Sequence, residues 1–191
     1  MTGTEPSARS SAREPVSGDL LVSAPSLLDP NFRRTIVLLV QVEQDGAVGL
    51  VLNRPASLEA GELPFPSWLL SRARIRQGGP VGSDSVLAVG DSDQVPECSA
   101  RPLFAGLCAV DLDSLEEQSP LAADISLFVG YAGWGPGQLL NELQSDDWAV
   151  VAGSAADALR VPPEQVWWEV VGRQRSPMRL WRTLAEDPRL N

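Results

Sequence analysis

The chain has 191 residues, 25 acidic and 15 basic side chains, a formal net charge of -10 and no histidine. All 15 basic residues are arginine, so lysine is absent too. This composition excludes an imidazole base or metal ligand, a Ser-His-Asp or Cys-His triad, a Schiff-base lysine and a Walker A lysine.

A single domain of roughly 150 to 200 residues buries about 70% of its unfolded surface, so no disulfide or metal staple is required. No apolar run approaches the ~18 residues of a membrane span. Residues 1–17 (MTGTEPSARSSAREPVS) are small and polar and lack the apolar core of a signal peptide. They predict a disordered tail before a domain at 18–191, a cytoplasmic location and no membrane association. Residues 84–157 carry 13 acids against Arg101 alone, whereas residues 158–191 carry 6 Arg and 4 acids. The acidic middle reads as a solubilising surface and disfavours phosphate backbones, so direct nucleic-acid binding is not expected. Cys98 and Cys108 form no CxxC pair. They are expected as free thiols, and neither a metal nor a cofactor is expected.

In chain order, Asp19–Ala24 reads as a strand, followed by a turn at Asp29-Pro30-Asn31. Thr35–Val42 is apolar on both alternating faces, as in a strand covered on two sides. Asp45-Gly46 predicts a hairpin turn, with Ala47–Asn53 returning as the partner strand. Leu58–Leu63 is short helix or loop, and Phe65–Arg72 predicts a helix entered through Pro66. A brief strand at Ile75–Gln77 runs into the Gly78-Gly79-Pro80 turn. Ser85–Gly90 predicts a strand, Asp91–Ser99 a polar loop, Leu103–Val110 one further strand and Ser114–Gln118 an acidic helix. Ile125–Tyr131 predicts a strand leading through a Gly-rich turn, Gly130–Gln138, into a helix over Gln138–Gln144. Trp148–Ala152 is a strand. Ser154 and Asp157 resemble a capping box. Pro163–Val171 places Val166, Trp167, Val170 and Val171 on one helical face. Met178–Leu184 predicts a last short helix. Strands and helices interleave irregularly, which favours α+β over a regular βαβ series.

Three segments are candidates for chemistry. Asn53-Arg54 ends a strand with an amide and a guanidinium. The guanidinium suits a carboxylate or phosphate; alternatively Asn53 caps a turn and Arg54 pairs with an acid. Gly78-Gly79 permits exposed backbone N–H groups that favour an anion, or simply a tight turn. The turn Gly130–Gln138, with Tyr131, Gly133, Trp134 and Gln138, stands where phosphates often bind. It fails the G-x-G-x-x-G spacing, and the alternative is that Trp134 folds back onto the core while Pro136 starts the helix. Acid pairs such as Asp111/Asp113 and Asp146/Asp147 suit a solvated face better than a glycosidase cleft.

GDLLVSAPSLLDPNFRRTIVLL, GAVGLVLNRP, QGGPV and LFVGYAGWGPGQLLNEL followed by Trp148 together resemble the YqgE/AlgH family, in order and approximate spacing, across residues 18–170. Matching positions include Asp29, Phe32, Arg34, Asn53, Pro55, Gly78, Gly79, Pro80, Tyr131, Gly133, Trp134, Gly137, Gln138 and Glu142. Where the family usually carries His, this chain has Glu43, and its helical C-terminus departs from the family pattern. The resemblance implies a single α+β domain of coiled, mixed β-sheets flanked by helices, and assigns no activity or catalytic residue.

With no convincing nucleophile–base pair, the expectation is a non-enzymatic binding or regulatory protein. Its partner would be a small anionic ligand or another protein. The alternative is an enzyme or small-ligand sensor whose pocket joins Asn53-Arg54, Gly78-Gly79 and Tyr131–Gln138.

Overall fold

A computed structural model describes residues 13–56, 63–95, 100–104, 106–115 and 125–184. Among these residues the chain forms strands β1 (Asp19–Ser23), β2 (Ile36–Glu43), β3 (Gly46–Val51), β4 (Arg74–Gln77), β5 (Val81–Asp91), β6 (Ala100–Phe104), β7 (Leu107–Val110), β8 (Ile125–Trp134) and β9 (Trp148–Ala152). Four helices are α1 (Ser67–Leu70), α2 (Gln138–Gln144), α3 (Ala155–Leu159) and α4 (Pro163–Gly172). The strands run β6-β7-β5-β8-β3-β2-β1-β9, each pair on this path antiparallel, while β4 pairs with β8 in parallel. The sheet is therefore mixed.

The sheet curls because one of its faces closes on itself. Leu20 and Val22 of β1, Leu38 of β2, Leu50 of β3, Val89 of β5 and Leu107 of β7 share one buried cluster, with Val166, Trp167 and Val170 of α4 laid over it. The Phe104 ring of β6 lies against Gly18, just before β1, so strands far apart in the sheet order meet across this core. The opposite face is covered in two pieces. Leu21, Val37, Val51, Trp134 and Trp148 pack with Leu139 and Leu143 of α2. Ala88, Cys108, Ile125 and Leu127 pack with Leu69 of α1. The result is a curled half-barrel with flanking helices, in one α+β domain.

β8 forks at its centre. Its C-terminal half pairs with β3 through Ala47↔Trp134, Val48↔Gly133 and Gly49↔Ala132. Further along β8, β4 is wedged in β3's place, pairing Arg74↔Ser126 to Gln77↔Val129. The crotch is Gly78, whose N–H donates to Val129 O at 2.7 Å while its carbonyl accepts from Val51 N at 2.8 Å. Beyond it, Gln77 N donates to Arg54 O at 2.9 Å, and Pro55 bridges to Arg76. On β8's other side, β5 bulges between Val81 and Val86. Gly130 absorbs the bend with φ 69°, a left-handed conformation that glycine adopts without steric cost.

Two arginines of β4 reach the loop between α3 and α4. Arg76 is fully buried, with Nη1 donating to Leu52 O at 2.7 Å and Nη2 to Val161 O at 2.9 Å. Its guanidinium carbon lies 5.8 Å from the Phe128 ring centroid, and Nε has no partner. Burial first, then neighbouring Arg74, lowers its pKa to about 10. Arg74 donates to Leu159 O and Ser126 Oγ to Ala158 O at 2.8 Å, so the last carbonyls of α3 are met by donors from the sheet.

Several boundaries differ from the sequence reading. The hairpin turn is Gln44-Asp45, because Gly46 already pairs with Glu43 in β3. The expected single strand at 103–110 is a hairpin, β6 and β7, turned at Gly106 with φ 78°. Apolar residues on both sides of that turn disguise it. The Gly-rich segment after Tyr131 is strand as far as Trp134, and α2 starts at Gln138, two residues after Pro136. Helix α1 spans only Ser67–Leu70, with Pro66 before it. The segment Met178–Thr183 is 3₁₀, as is Leu112–Ser114. Residues 13–17 are tied in, since Arg13 pairs with Asp19 and Val16 N donates to Asp19 Oδ2 at 2.9 Å. The rest of the expected tail (1–12), 58–62 and 116–118 lie outside the described residues, as does Cys98. Cys108 is a buried free thiol, pushed up by desolvation.

Gly49 sits mid-sheet between Leu39 and Ala132. A Cβ there would lie 2.4 Å from Val37 Cγ1 and 3.2 Å from both Leu38 O and Trp134 Cζ3. Gly49→Val is therefore expected to cost ~1–3 kcal/mol by overpacking, read as a lowered denaturant midpoint.

Candidate functional site

The three candidate segments are contiguous through backbone, joined at the β8 fork. Val51 N meets Gly78 O and Gln77 N meets Arg54 O. A Cβ on Gly79 would fall 2.1 Å from the carbonyl carbon of Tyr131. Side chains divide them, however. Tyr131 packs with the cluster under α4, while Trp134 belongs to the cluster under α2 on the opposite face. Three positions apart on the alternating strand β8, they fall on different sides of the sheet.

Asn53 is buried and acts on the backbone. Its Oδ1 accepts from Ile36 N at 2.9 Å and its Nδ2 donates to Arg34 O at 2.7 Å. It thus holds the entry to β2, where Arg34 takes φ 49°, a left-handed conformation uncommon outside glycine. Asp29 shapes the preceding turn by accepting from Asn31 N at 2.8 Å.

Arg54 lies beside this turn, half-buried. Its Nη2 donates to Arg33 O and, at 3.1 Å, to Thr35 Oγ1. Among the described residues no carboxylate pairs with it. Its pKa is lowered, first by burial and then by the positive charge of Arg33. Two like charges are thereby held together at the end of β3. Sequence reading pointed to Arg54 and passed over Arg33. The FRRT run was a signal for it, with two adjacent arginines just before β2.

On the other face, Trp134, Trp148 and Phe32 form an aromatic triangle, with centroids 6.2 Å apart for the two indoles and 5.5 Å for Phe32 and Trp148. Glu142 of α2 ties it together. Its Oε2 accepts from both indole N–H groups at 2.8 Å, and its Oε1 accepts from Gln138 Nε2 at 2.9 Å. Gln138 Oε1 in turn accepts from Gly135 N at 3.1 Å. Trp134 has folded back onto the core, and Gln138 and Glu142 close the turn that leads there. Gly133 is exposed and pairs with Val48 in the sheet.

Asp157 is a buried carboxylate with a full set of donors. It accepts from Ser154 N at 2.9 Å, from Ser154 Oγ at 3.0 Å and from two Arg173 nitrogens at 2.8 Å each. Hydrogen bonding to Asp157 raises the Arg173 pKa. Among the described residues no group of three His, Cys, Asp or Glu is placed to hold a metal ion, and no helix is long and apolar enough to cross a membrane.

The AlgH-like family model (DUF179) matches residues 20–179. A UPF0301 protein of Streptomyces coelicolor is 38% identical over 185 residues, covering 92% of this chain and 95% of that one. A UPF0301 protein of Mycolicibacterium smegmatis is 35% identical over 89% of this chain and 88% of its own length. The crystal structure of a Corynebacterium diphtheriae protein, DIP2367, superposes with a TM-score of 0.78 at 29% identity, covering 89% of this chain and 93% of that one. The solution structure of AlgH from Pseudomonas aeruginosa gives 0.69 at 27% identity, covering 97% and 98%. With the family model spanning residues 20–179 and relatives above one-third identity along nearly their whole length, this protein belongs to the AlgH-like (YqgE/AlgH, UPF0301) family.

Proposed function

We propose that the protein is a non-enzymatic, cytoplasmic binding or regulatory protein whose ligand carries an anionic group held at Arg54. The observation behind this reading is the Arg33–Arg54 pair. In a chain of net charge -10, two guanidinium groups are kept together without a carboxylate among the described residues. A planar guanidinium fork suits carboxylate, sulfate or phosphate oxygens. The other prominent polar groups, Asn53, Glu142 and Asp157, are occupied in holding the fold.

The reading is tested by thermal melting with and without sulfate, phosphate and acetate. A ligand at about ten times its Kd adds ~1.4 kcal/mol. In a chain of this size that raises the melting temperature by roughly 3–6 °C. Arg54→Ala is expected to keep the fold, lose ~1–2 kcal/mol with its bonds to Arg33 O and Thr35 Oγ1, and lose the anion shift. An equal shift in wild type and Arg54→Ala overturns the site.

The second reading is an enzyme or small-metabolite sensor using the same junction. It is favoured by Tyr131, which stands half-buried beside Gly82 next to the Gly79 backbone. Turnover of a defined compound by pure protein, abolished by Tyr131→Phe, would select it over the first.

A further inference from the structure

A line of arginines continues from the Arg33–Arg54 pair onto the C-terminal segment. Arg34 follows Arg33 and donates to Leu184 O. Its guanidinium carbon lies 4.7 Å from the Trp167 ring centroid and 5.4 Å from that of Trp168. Arg182 approaches Trp168 at 5.8 Å. The strip Arg54–Arg33–Arg34–Trp168–Arg182 therefore joins the end of β3, the entry to β2, α4 and the C-terminal 3₁₀ segment. Residues 170–184 contain four arginines and no acid. Only Arg173 among those four has an ion pair among the described residues. Trp168 is 40% exposed, and Leu180 and Leu184 of the C-terminal segment are 58% and 37% exposed. Arg and Trp together are the side chains that most often dominate protein interfaces.

We infer that this strip is a docking surface for an acidic segment of a partner protein, one that alternates carboxylates with apolar side chains. The inference rests on the binding reading above and names the source of the anionic group. Charge selects the partner. The strip is a positive band on a protein whose residues 84–157 carry a net charge of -12 (one Arg against 13 acids). A short acidic peptide covers the band alone, whereas a long nucleic acid extends over repelling surface. The exposed leucines give apolar side chains a place between the charges. Trp168 offers no free platform for bases, because Arg34, Arg182 and the edge of Trp167 at 5.2 Å already engage it. Arg34 acts here as a positioning residue. Asn53 holds its carbonyl in the left-handed turn while its side chain anchors Leu184.

The test uses the full chain and a fluorescein-labelled peptide alternating Glu and Leu, followed by anisotropy at low salt, with an oligo-dT of equal length as competitor. Saturable binding is expected, weakened at least tenfold in the double variant Arg33→Glu with Arg182→Glu and unchanged in Arg101→Glu, an exposed arginine on β6. Circular dichroism and the urea midpoint confirm folding. If the reversal unfolds the chain, Arg33→Gln with Arg182→Gln replaces it, with a weakening of at least threefold expected. Absence of saturable binding overturns the inference, as does unchanged affinity in the folded double variant or tighter binding of oligo-dT. A sulfate shift that survives while the peptide fails sinks the docking surface and leaves the Arg54 site standing. Loss of both sinks the two together.

Discussion

Gly78→Ala is expected to lower the urea midpoint by the equivalent of at least ~3 kcal/mol, or to prevent folding altogether. A Cβ on Gly78 would stand 2.1 Å from Gly130 O and 2.9 Å from Phe128 Cβ. The oxygen belongs to backbone that β5 holds from the far side, through Val81↔Tyr131 and Val86↔Val129. It has no flexible end to swing away. Relief requires β4 to leave β8, which breaks the Gly78–Val129 and Val51–Gly78 hydrogen bonds together. Gly135→Ala is the control. The nearest atom to its added Cβ is Gln138 Oε1 at 4.0 Å, and the midpoint is expected to stay within ~0.5 kcal/mol of wild type. Similar losses in both variants would show that the fork is not the tight point.

Arg76→Ala is expected to cost about 3–5 kcal/mol, as a lowered midpoint with an unchanged slope. The substitution leaves Leu52 O and Val161 O without their donor and empties the volume under Phe128. Leu52 is fully buried and Val161 partly so, and an unmet buried acceptor costs ~1–3 kcal/mol. Arg76→Met separates the contributions. It refills much of the volume and removes a charge that burial disfavours, so its loss is expected to be the smaller of the two. Equal losses would assign the whole effect to the carbonyls.

The sequence carried the antiparallel half of this fold openly. Residues 36–40 and 47–51 are apolar on both faces and sit on either side of a short polar turn, so the hairpin is local information. Helix α4 announces its buried face through Val166, Trp167, Val170 and Val171, all of which are buried. The parallel β4–β8 pairing was not legible. It joins residues about fifty positions apart, and Arg-Ile-Arg-Gln has the alternation of an exposed strand. Arg76 is buried against that pattern because backbone carbonyls of Leu52 and Val161, and not a carboxylate, receive it. The glycines of GGP and GYAGWG were visible, but their purpose was not. They let three strands meet at one point, a requirement that no single strand expresses.

The candidate site was legible to the same degree. Arg54 and Asn53 were singled out by type and position, yet one faces its neighbour's charge while the other spans a backbone gap. Which does which depends on the strand's alternation relative to a turn nineteen residues earlier. Tyr131 and Trp134 looked like one cluster because they are three apart. The pleat of β8 puts residues three apart on separate faces.

The central position of β8 governs the order of assembly. β3, β4 and β5 each require it as a template, and it spans residues 125–134. During synthesis the ribosome must release the chain through Trp134 before any of the three can dock. Until then the β2–β3 hairpin waits with an uncovered edge. Contacts this distant along the chain make for slow, millisecond-to-second maturation, and they leave the nascent chain exposed to sticking during that wait.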